Sequence, residues 1–284
     1  MKVAIIANTK KEGILIILPP FLEDLKKNNI DAVLHERLKD IVKESYTFSP
    51  VDKLFDDVDL IISFGGDGTM LQTAQISLGT NIPILGVNLG KVGFLAEISP
   101  DEISSIPERL KTGNYQIFKR MAFTAETSSG DKYFALNDIA VDRNADTRIL
   151  ELSVSIDGIH AGDFAADGII ISTPTGSTAH SVSAGGPLVM PECFVTVLTP
   201  ICPHSLTLRP MIIDGSKEVC LKVLNGIGRM AVDGQSFVDV PAGSEVSIKM
   251  SEKAVKIARF DDKTYFDILH TRLNWGVSPK LKNA

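Results

Sequence analysis

Residues 64–72 read FGGDGTMLQ, three glycines around a single carboxylate. Gly65, Gly66 and Gly68 carry no side chains, so backbone N–H groups there can approach a ligand closely, and a helix that follows aims its N-terminus at an anion. Asp67 is the unexpected member, because a carboxylate repels a bare phosphate. It fits if it removes a proton from a hydroxyl attacking the phosphate, or holds a metal that accompanies it. The implied chemistry is phosphoryl transfer. The Gly-Lys-Ser/Thr ending of a Walker loop is missing. As an isolated motif, GGDG is equally ordinary turn chemistry, with Asp67 accepting from the following backbone.

A second stretch, residues 167–187, reads DGIIISTPTGSTAHSVSAGGP. Ser172, Thr173, Thr175, Ser177, Thr178, Ser181 and Ser183 place seven hydroxyls within twelve residues, with Gly176, Gly185 and Gly186 among them. Hydroxyls and exposed N–H groups in a glycine-rich loop suit phosphate and ribose oxygens. A solvated Ser/Thr loop is the plainer alternative, and it accounts less well for the apolar run 169–171 and the Gly-Gly-Pro ending. Residues 136–142, LNDIAVD, put Asn137 and Asp138 at the start of a strand. Such a pair is often a turn, but an amide beside a carboxylate can also grip the vicinal hydroxyls of a ribose. Arg148, with Asp146 and Glu151 nearby in sequence, reads on its own as a surface cation, and His180 and His204 as structural.

The elements that must position these residues follow from hydrophobic periodicity. Residues 59–64 form a β-rich run before the glycine turn, and 69–77 have helical spacing after it. Strands at 3–7, 32–34 and 82–87, with a helix at 21–28 whose first turn holds Pro20, complete an alternation that predicts a parallel sheet with ligands beyond its C-terminal strand ends. A helical connection spans 100–111. Strands are then predicted at 123–127, 132–142, 150–156, 168–172, 218–224, 229–232 and 245–250, with Asp157-Gly158 and Asp233-Gly234 as hairpin turns. The expected fold is an α/β N-terminal domain over 1–100 and a β-rich C-terminal domain over 101–258. The tail, 259–284, carries an amphipathic segment at 265–273 that returns to the first domain. With few helices to cover its strands, the second half is expected to hide an apolar face or edge against a second copy.

At 284 residues and 44% hydrophobic, the chain can bury the core of one large or two modest domains. A formal net charge of −6 and the lack of a basic stripe argue against nucleic acid as a partner. Cys193, Cys202 and Cys220 are odd in number and lack CxxC spacing, so they read as buried thiols in a reducing compartment. The five histidines make no metal-ligand pattern. The first residues read as a strand and not as an export signal, and the apolar run 14–18 stops at Pro19-Pro20, too short to span a bilayer. A cytoplasmic protein without membrane association is expected.

Together, Gly65-Gly66-Asp67-Gly68-Thr69, Asn137-Asp138, Asp167-Gly168, the run STPTGSTA at 172–179, SAGGP at 183–187 and LTPICPHSLTLRP at 198–210 resemble the NAD kinase family over nearly the whole chain. GGDGT alone is shared with lipid kinases of the diacylglycerol kinase type, and phosphofructokinases carry a close relative; the ordered set is specific. The resemblance implies transfer of the γ-phosphoryl group of ATP, or of another donor such as polyphosphate, to the 2′-hydroxyl of the adenosine ribose of NAD, giving NADP. A divalent cation, Mg²⁺, is expected to arrive with ATP without a protein cage of its own.

By the same resemblance Asp67 is the catalytic carboxylate and Gly68 lies against the dinucleotide, with Gly65, Gly66 and Thr69 as phosphate-binding candidates. Asn137 and Asp138 hold NAD. Arg148, Ala165, Asp167, Thr178, Ala179, His180, Ser181, Val182 and Ser183 line the nucleotide, and Gln235 adds a contact. The family places its site between the two domains and forms homodimers or homotetramers. His180 stands where the family usually has tyrosine, and an imidazole stacks on a base over a smaller area. Two alternatives have distinct requirements: a lipid kinase needs an apolar pocket and a membrane-facing surface, and a non-catalytic dinucleotide sensor has no use for Asp67.

Overall fold

The apolar runs of the first hundred residues pair as parallel strands. β1 (Lys2–Ala7), β2 (Asp31–His35), β3 (Thr47–Ser49), β4 (Leu60–Gly65) and β5 (Ile84–Asn88) lie in the order β3-β2-β1-β4-β5. Every residue of β4 and β5 is buried, which is why both read as unbroken apolar stretches. Strand order reverses between β1 and β4, and in sheets of this kind a crevice opens there beyond the strands' C-terminal ends. In this computed structural model residues 1–11, 13–42, 45–90, 93–145 and 147–276 are described.

The helices are α1 (Gly13–Lys27), α2 (Val51–Leu54), α3 (Asp67–Ile76) and α4 (Ile106–Thr112). α1 begins well before the helix expected at 21–28 and runs through Pro19 and Pro20. Its buried stripe, Ile14, Leu18, Phe21, Leu22 and Leu25, is continuous across both prolines. Each proline removes one helical N–H bond. The carbonyls left over belong to Leu15 and Ile16, which face water, so the packed stripe outweighs the loss.

After β6 (Gln116–Arg120) the chain becomes antiparallel. One six-stranded sheet joins β7 (Phe123–Thr127), β8 (Lys132–Ala135), β10 (Leu150–Ile156), β11 (Ile159–Ala166), β15 (Val219–Val223) and β18 (Glu245–Met250). The other joins β9 (Asp138–Arg143), β12 (Gly168–Ser172), β13 (Val195–Ile201), β14 (Met211–Asp214), β16 (Ile227–Val232) and β17 (Ser236–Pro241). The two share one core, in which Phe123, Leu152, Leu221 and Ile248 meet Ile139, Ile171, Leu198 and Met230. The inner sheet faces therefore cover each other as a sandwich, while the edge strands β11, β14 and β17 keep Ile159, Ile212 and Phe237 exposed. The back of the second sheet, at Ala140, Ile170 and Ala231, is packed by Ala184 and Ile201.

The strand expected at 132–142 is two strands in different sheets, with a corner at Leu136-Asn137. The cysteines are not buried. Cys193 and Cys202 are exposed, and Cys220 is half-buried because it alternates outward on β15 between Val219 and Leu221.

β19 (Val255–Arg259) pairs in parallel with β5, and a helix at Tyr265–Leu273 follows. The chain divides into two compact units: Met1–Lys119 with the chain from Lys256 on, and Arg120–Val255. The boundary falls after the predicted 100/101 because β6 completes the seven-stranded sheet. Of the expected tail, 277–284 lie outside the described residues. No helix among the described residues is long and apolar enough to cross a membrane.

Candidate functional site

The glycine turn sits where the parallel sheet predicts a ligand. Gly65 ends β4, Gly66 precedes the helix, and Asp67 opens α3, with Thr69 and Met70 donating back to the Gly66 carbonyl at 2.9 and 3.0 Å. A side chain at Gly65 would collide with that of Thr69, whereas the space beside Gly66 is open. Below the turn, Ser63 Oγ meets Thr73 Oγ1 at 3.0 Å, tying strand to helix.

Asp67 is anchored. Its Oδ2 accepts from Phe94 N at 2.9 Å, and its Oδ1 from Leu95 N and Ala96 N, both at 3.0 Å. Gly93 lies so close to the carboxylate that a Cβ there would collide with it. Two oxygens offer about four lone pairs; three are engaged, and one on Oδ2 remains for another donor.

The adjacent crevice, about 410 Å³, is lined by Asn8, Lys10, His35, Arg37, Thr69 and Gln72, among others. His35 is buried, and its Nδ1 accepts from Arg37 N at 3.1 Å. Burial first, then the Arg37 charge, pushes its pKa below the usual value, so the crevice's cations are Lys10 and Arg37. Sequence reasoning missed this crevice, because its residues are brought together by the pairing of β1, β2 and β4.

In the second unit Asn137 and Asp138 occupy the corner between β8 and β9, and both are buried. Residues 172–180 pack on them. Thr173 N donates to the Asn137 carbonyl at 2.9 Å, Thr173 Oγ1 to the Leu136 carbonyl at 2.7 Å, and the His180 N–H to the Asp138 carboxylate. Asn137 Oδ1 and Thr175 Oγ1 are buried without a hydrogen-bond partner. Each is a polar atom that a ligand can satisfy. Thr175 stood among the hydroxyls of the sequence and was not singled out.

The other hydroxyls are largely committed within the protein. Ser172 donates to the Thr173 carbonyl, Ser177 to that of Pro174 and Thr178 to that of Thr175, and Ser181, fully buried, bonds Thr199. Ser183 and the His180 side chain are exposed, and Ala179 and Val182 are half-buried. Gln235 is half-buried after the Asp233-Gly234 turn, with its N–H on the Val232 carbonyl at 2.9 Å.

Arg148, Ala165 and Asp167 are not brought to this corner. Asp138 lies opposite Ser172 and Asp142 opposite Gly168. Asp167 is therefore at the far end of the strand pair, roughly 14 Å along the strand at 3.4 Å per residue. There it pairs with Arg143 at 2.8 Å, and the Ala165 carbonyl accepts from His204 N at 2.9 Å. Arg148 is exposed in the loop after β9, and its sequence neighbour Asp146 lies outside the described residues. Among the described residues no group of three or more His, Cys, Asp or Glu could hold a metal ion.

A fixed carboxylate with one free lone pair, set at the mouth of a parallel sheet, is the equipment of a phosphoryl-transfer enzyme. The chain's relatives are of that class. The family model of the ATP-NAD kinase N-terminal domain matches residues 3–115, and that of the ATP-NAD kinase C-terminal domain matches 136–260. The NAD kinase of Geotalea daltonii is 35% identical over 281 residues, covering 97% of this chain and 99% of the relative. That of Gemmatimonas aurantiaca is 35% identical over 285 residues, covering 97% and 96%. The chain belongs to the NAD kinase family. Among solved structures, an NAD kinase from Archaeoglobus fulgidus in complex with ATP aligns with a TM-score of 0.77 at 26% identity over 96% of this chain and 99% of that one. Yeast NADH kinase complexed with NADH shares the fold, with a TM-score of 0.88 at 23% identity over 99% and 89%.

Proposed function

We propose that this enzyme transfers the γ-phosphoryl group of ATP to the 2′-hydroxyl of the adenosine ribose of NAD, releasing NADP and ADP. The observation that carries the reading is the Asn137 Oδ1 atom, a buried acceptor with no protein partner beside the buried Asp138 carboxylate. Two adjacent acceptors suit the two O–H donors of a ribose diol on binding, and in the reactive complex the 2′-hydroxyl turns its one proton to Asp67. Asp67 supplies the base. The lone pair left on Oδ2 takes the 2′-hydroxyl proton as that oxygen attacks the γ-phosphorus, and the bond to the bridging oxygen of ADP breaks. The three backbone bonds keep the carboxylate oriented while it does so.

Lys10 and Arg37 give the crevice of the first unit the charge to hold the donor's phosphates, and the open space at Gly66 admits one. A divalent cation bound by the triphosphate would neutralise charge on the leaving group. Arg148, Ala165 and Asp167 support an oligomer. They can line the same nucleotide as Asp138 only if another subunit brings its far strand end to the corner, so a homodimer, or a tetramer of dimers, is the working state. Three free thiols, two of them exposed, suit the reducing cytoplasm.

The test is to incubate the protein with NAD, ATP and Mg²⁺ and to assay NADP with an NADP-specific dehydrogenase. Parallel arms replace ATP by polyphosphate and NAD by NADH. Lack of NADP, and of NADPH in the NADH arm, would sink the reading.

A further inference from the structure

Asp233 has no part in the reaction scheme, yet it is buried and heavily bonded. Its Oδ1 accepts from Asn137 N at 2.7 Å and Asp138 N at 3.2 Å, and its Oδ2 from Leu136 N at 3.0 Å. Its own N–H donates to the Asp138 carbonyl at 3.0 Å. The corner where the chain changes sheets needs partners for three successive N–H groups, and one side chain supplies them. Asp233 reaches them because it and Gly234 turn the chain between β16 and β17 with φ of +51° and +63°, both left-handed. From the other side Gly176 presses on the corner so closely that a Cβ would run into the Asn137 backbone.

We propose that Asp233 is a positioning residue for the dinucleotide, holding the 136–138 corner in the one arrangement that presents Asn137 and Asp138 to the ribose diol of NAD. This rests on the assignment of that corner to NAD. Asp233 also acts on Asp138 through its charge. Burial first, and then the Asp233 charge, pushes Asp138 up to about 7, against the lowering effect of the His180 N–H. Burial raises Asp233 too, against the lowering effect of its three backbone N–H bonds. Asp233, on the turn after β16, and His180, through its backbone, are the titratable residues facing Asp138 from neighbouring elements. A ribose O–H bonds an ionised carboxylate more strongly than a neutral carboxyl, so affinity for NAD should fall as pH drops through about 7.

Asp233→Asn tests both effects. The amide keeps one accepting oxygen, turns an N–H against a backbone N–H, and removes the charge. KM for NAD should rise about tenfold or more, the scale of one lost bond to a charged group. KM for ATP and kcat at saturating NAD should stay within about threefold, because the charge and orientation of Asp67 are untouched. With the charge gone, the acid limb of kcat/KM for NAD should move to lower pH. A folded variant with an unchanged KM for NAD and an unmoved limb overturns the proposal. So does a uniform loss in kcat and both KM values with the limb in place, the mark of a merely structural role. If Asp233→Asn does not fold by circular dichroism, Asp233→Glu gives the same KM readout with the charge retained; an unchanged KM for NAD there overturns the proposal. Asn137→Ala and Asp138→Asn separate the premises. If neither raises KM for NAD, the corner is not the NAD site; if they do and the Asp233 variants do not, the positioning role alone fails.

Discussion

At the scale of single residues, the anchoring of Asp67 decides what its replacement should do. Asparagine is nearly isosteric, and from sequence alone Asp67→Asn looks structurally silent. The three N–H donors around the carboxylate make it otherwise, because one oxygen becomes an NH₂ facing an N–H. The variant should lose about 1–3 kcal/mol of unfolding free energy, the cost of an unsatisfied partner. Its kcat should fall by about two orders of magnitude or more, the contribution of a positioned general base. Urea titration and initial rates measure the two losses separately. Gly93→Ala should reproduce the catalytic loss with Asp67 intact, because its Cβ would occupy the carboxylate's place. Normal turnover in Gly93→Ala would mean that the carboxylate does not act from where it stands. Asp67 was legible because glycines surround it in the chain. The segment after Gly93 was not, since Phe94, Leu95 and Ala96 reach it across a separation of 27 to 29 residues that no local pattern encodes.

At the scale of elements, what could be read was what repeats locally. β4, β5, β12 and the Asp157-Gly158 and Asp233-Gly234 hairpins followed from apolar runs and turn residues. The start of α1 was hidden because Pro19-Pro20 looked like a beginning, while the buried stripe that overrides it begins at Ile14. The corner at Leu136 was hidden for another reason: β8 and β9 continue one strand-like pattern, and only Asp233, far along the chain, shows where it breaks. β19 shows how a late segment is held. Arg259 pairs with Glu97 at 2.8 Å with both side chains largely buried, and its guanidinium lies 5.4 Å from the centre of the Phe118 ring. Arg259→Met removes one of the partners of Glu97 in a largely buried ion pair and should lower stability by less than the roughly 3–5 kcal/mol of a fully stranded charge. Adding Glu97→Gln should recover part of that loss, since the remaining buried charge disappears with it. Denaturant unfolding of both variants checks this, and strict additivity would mean that the pair does not couple.

At the scale of the whole molecule, two arguments for self-association fare differently. The inner faces of the two antiparallel sheets are already buried against each other and supply no motive, whereas Ile159, Ile212 and Phe237 on edge strands remain exposed. The register of β9 and β12 supplies a better one, because it holds Asp138 and Asp167 at opposite ends of one strand pair. If both ends line each nucleotide, every site in a dimer takes its Asp138 corner from one subunit and its Arg148 end from the other. Two variants that are each nearly inactive at NAD concentrations well below their raised KM should then complement. Mix Asp138→Asn with Arg148→Ala, unfold and refold them together, and about half of the dimers are hybrids with both defects in one site and an intact second site. About a quarter of wild-type activity should return, although neither parent shows it alone. Separate refolding followed by mixing should restore less until subunits exchange, and the recovery rate reports how tightly the copies hold one another. Light scattering at micromolar and nanomolar concentrations supplies the control, since a monomer cannot complement. A hybrid that forms and stays inactive would confine each site to one chain and leave Arg148, Ala165 and Asp167 outside it.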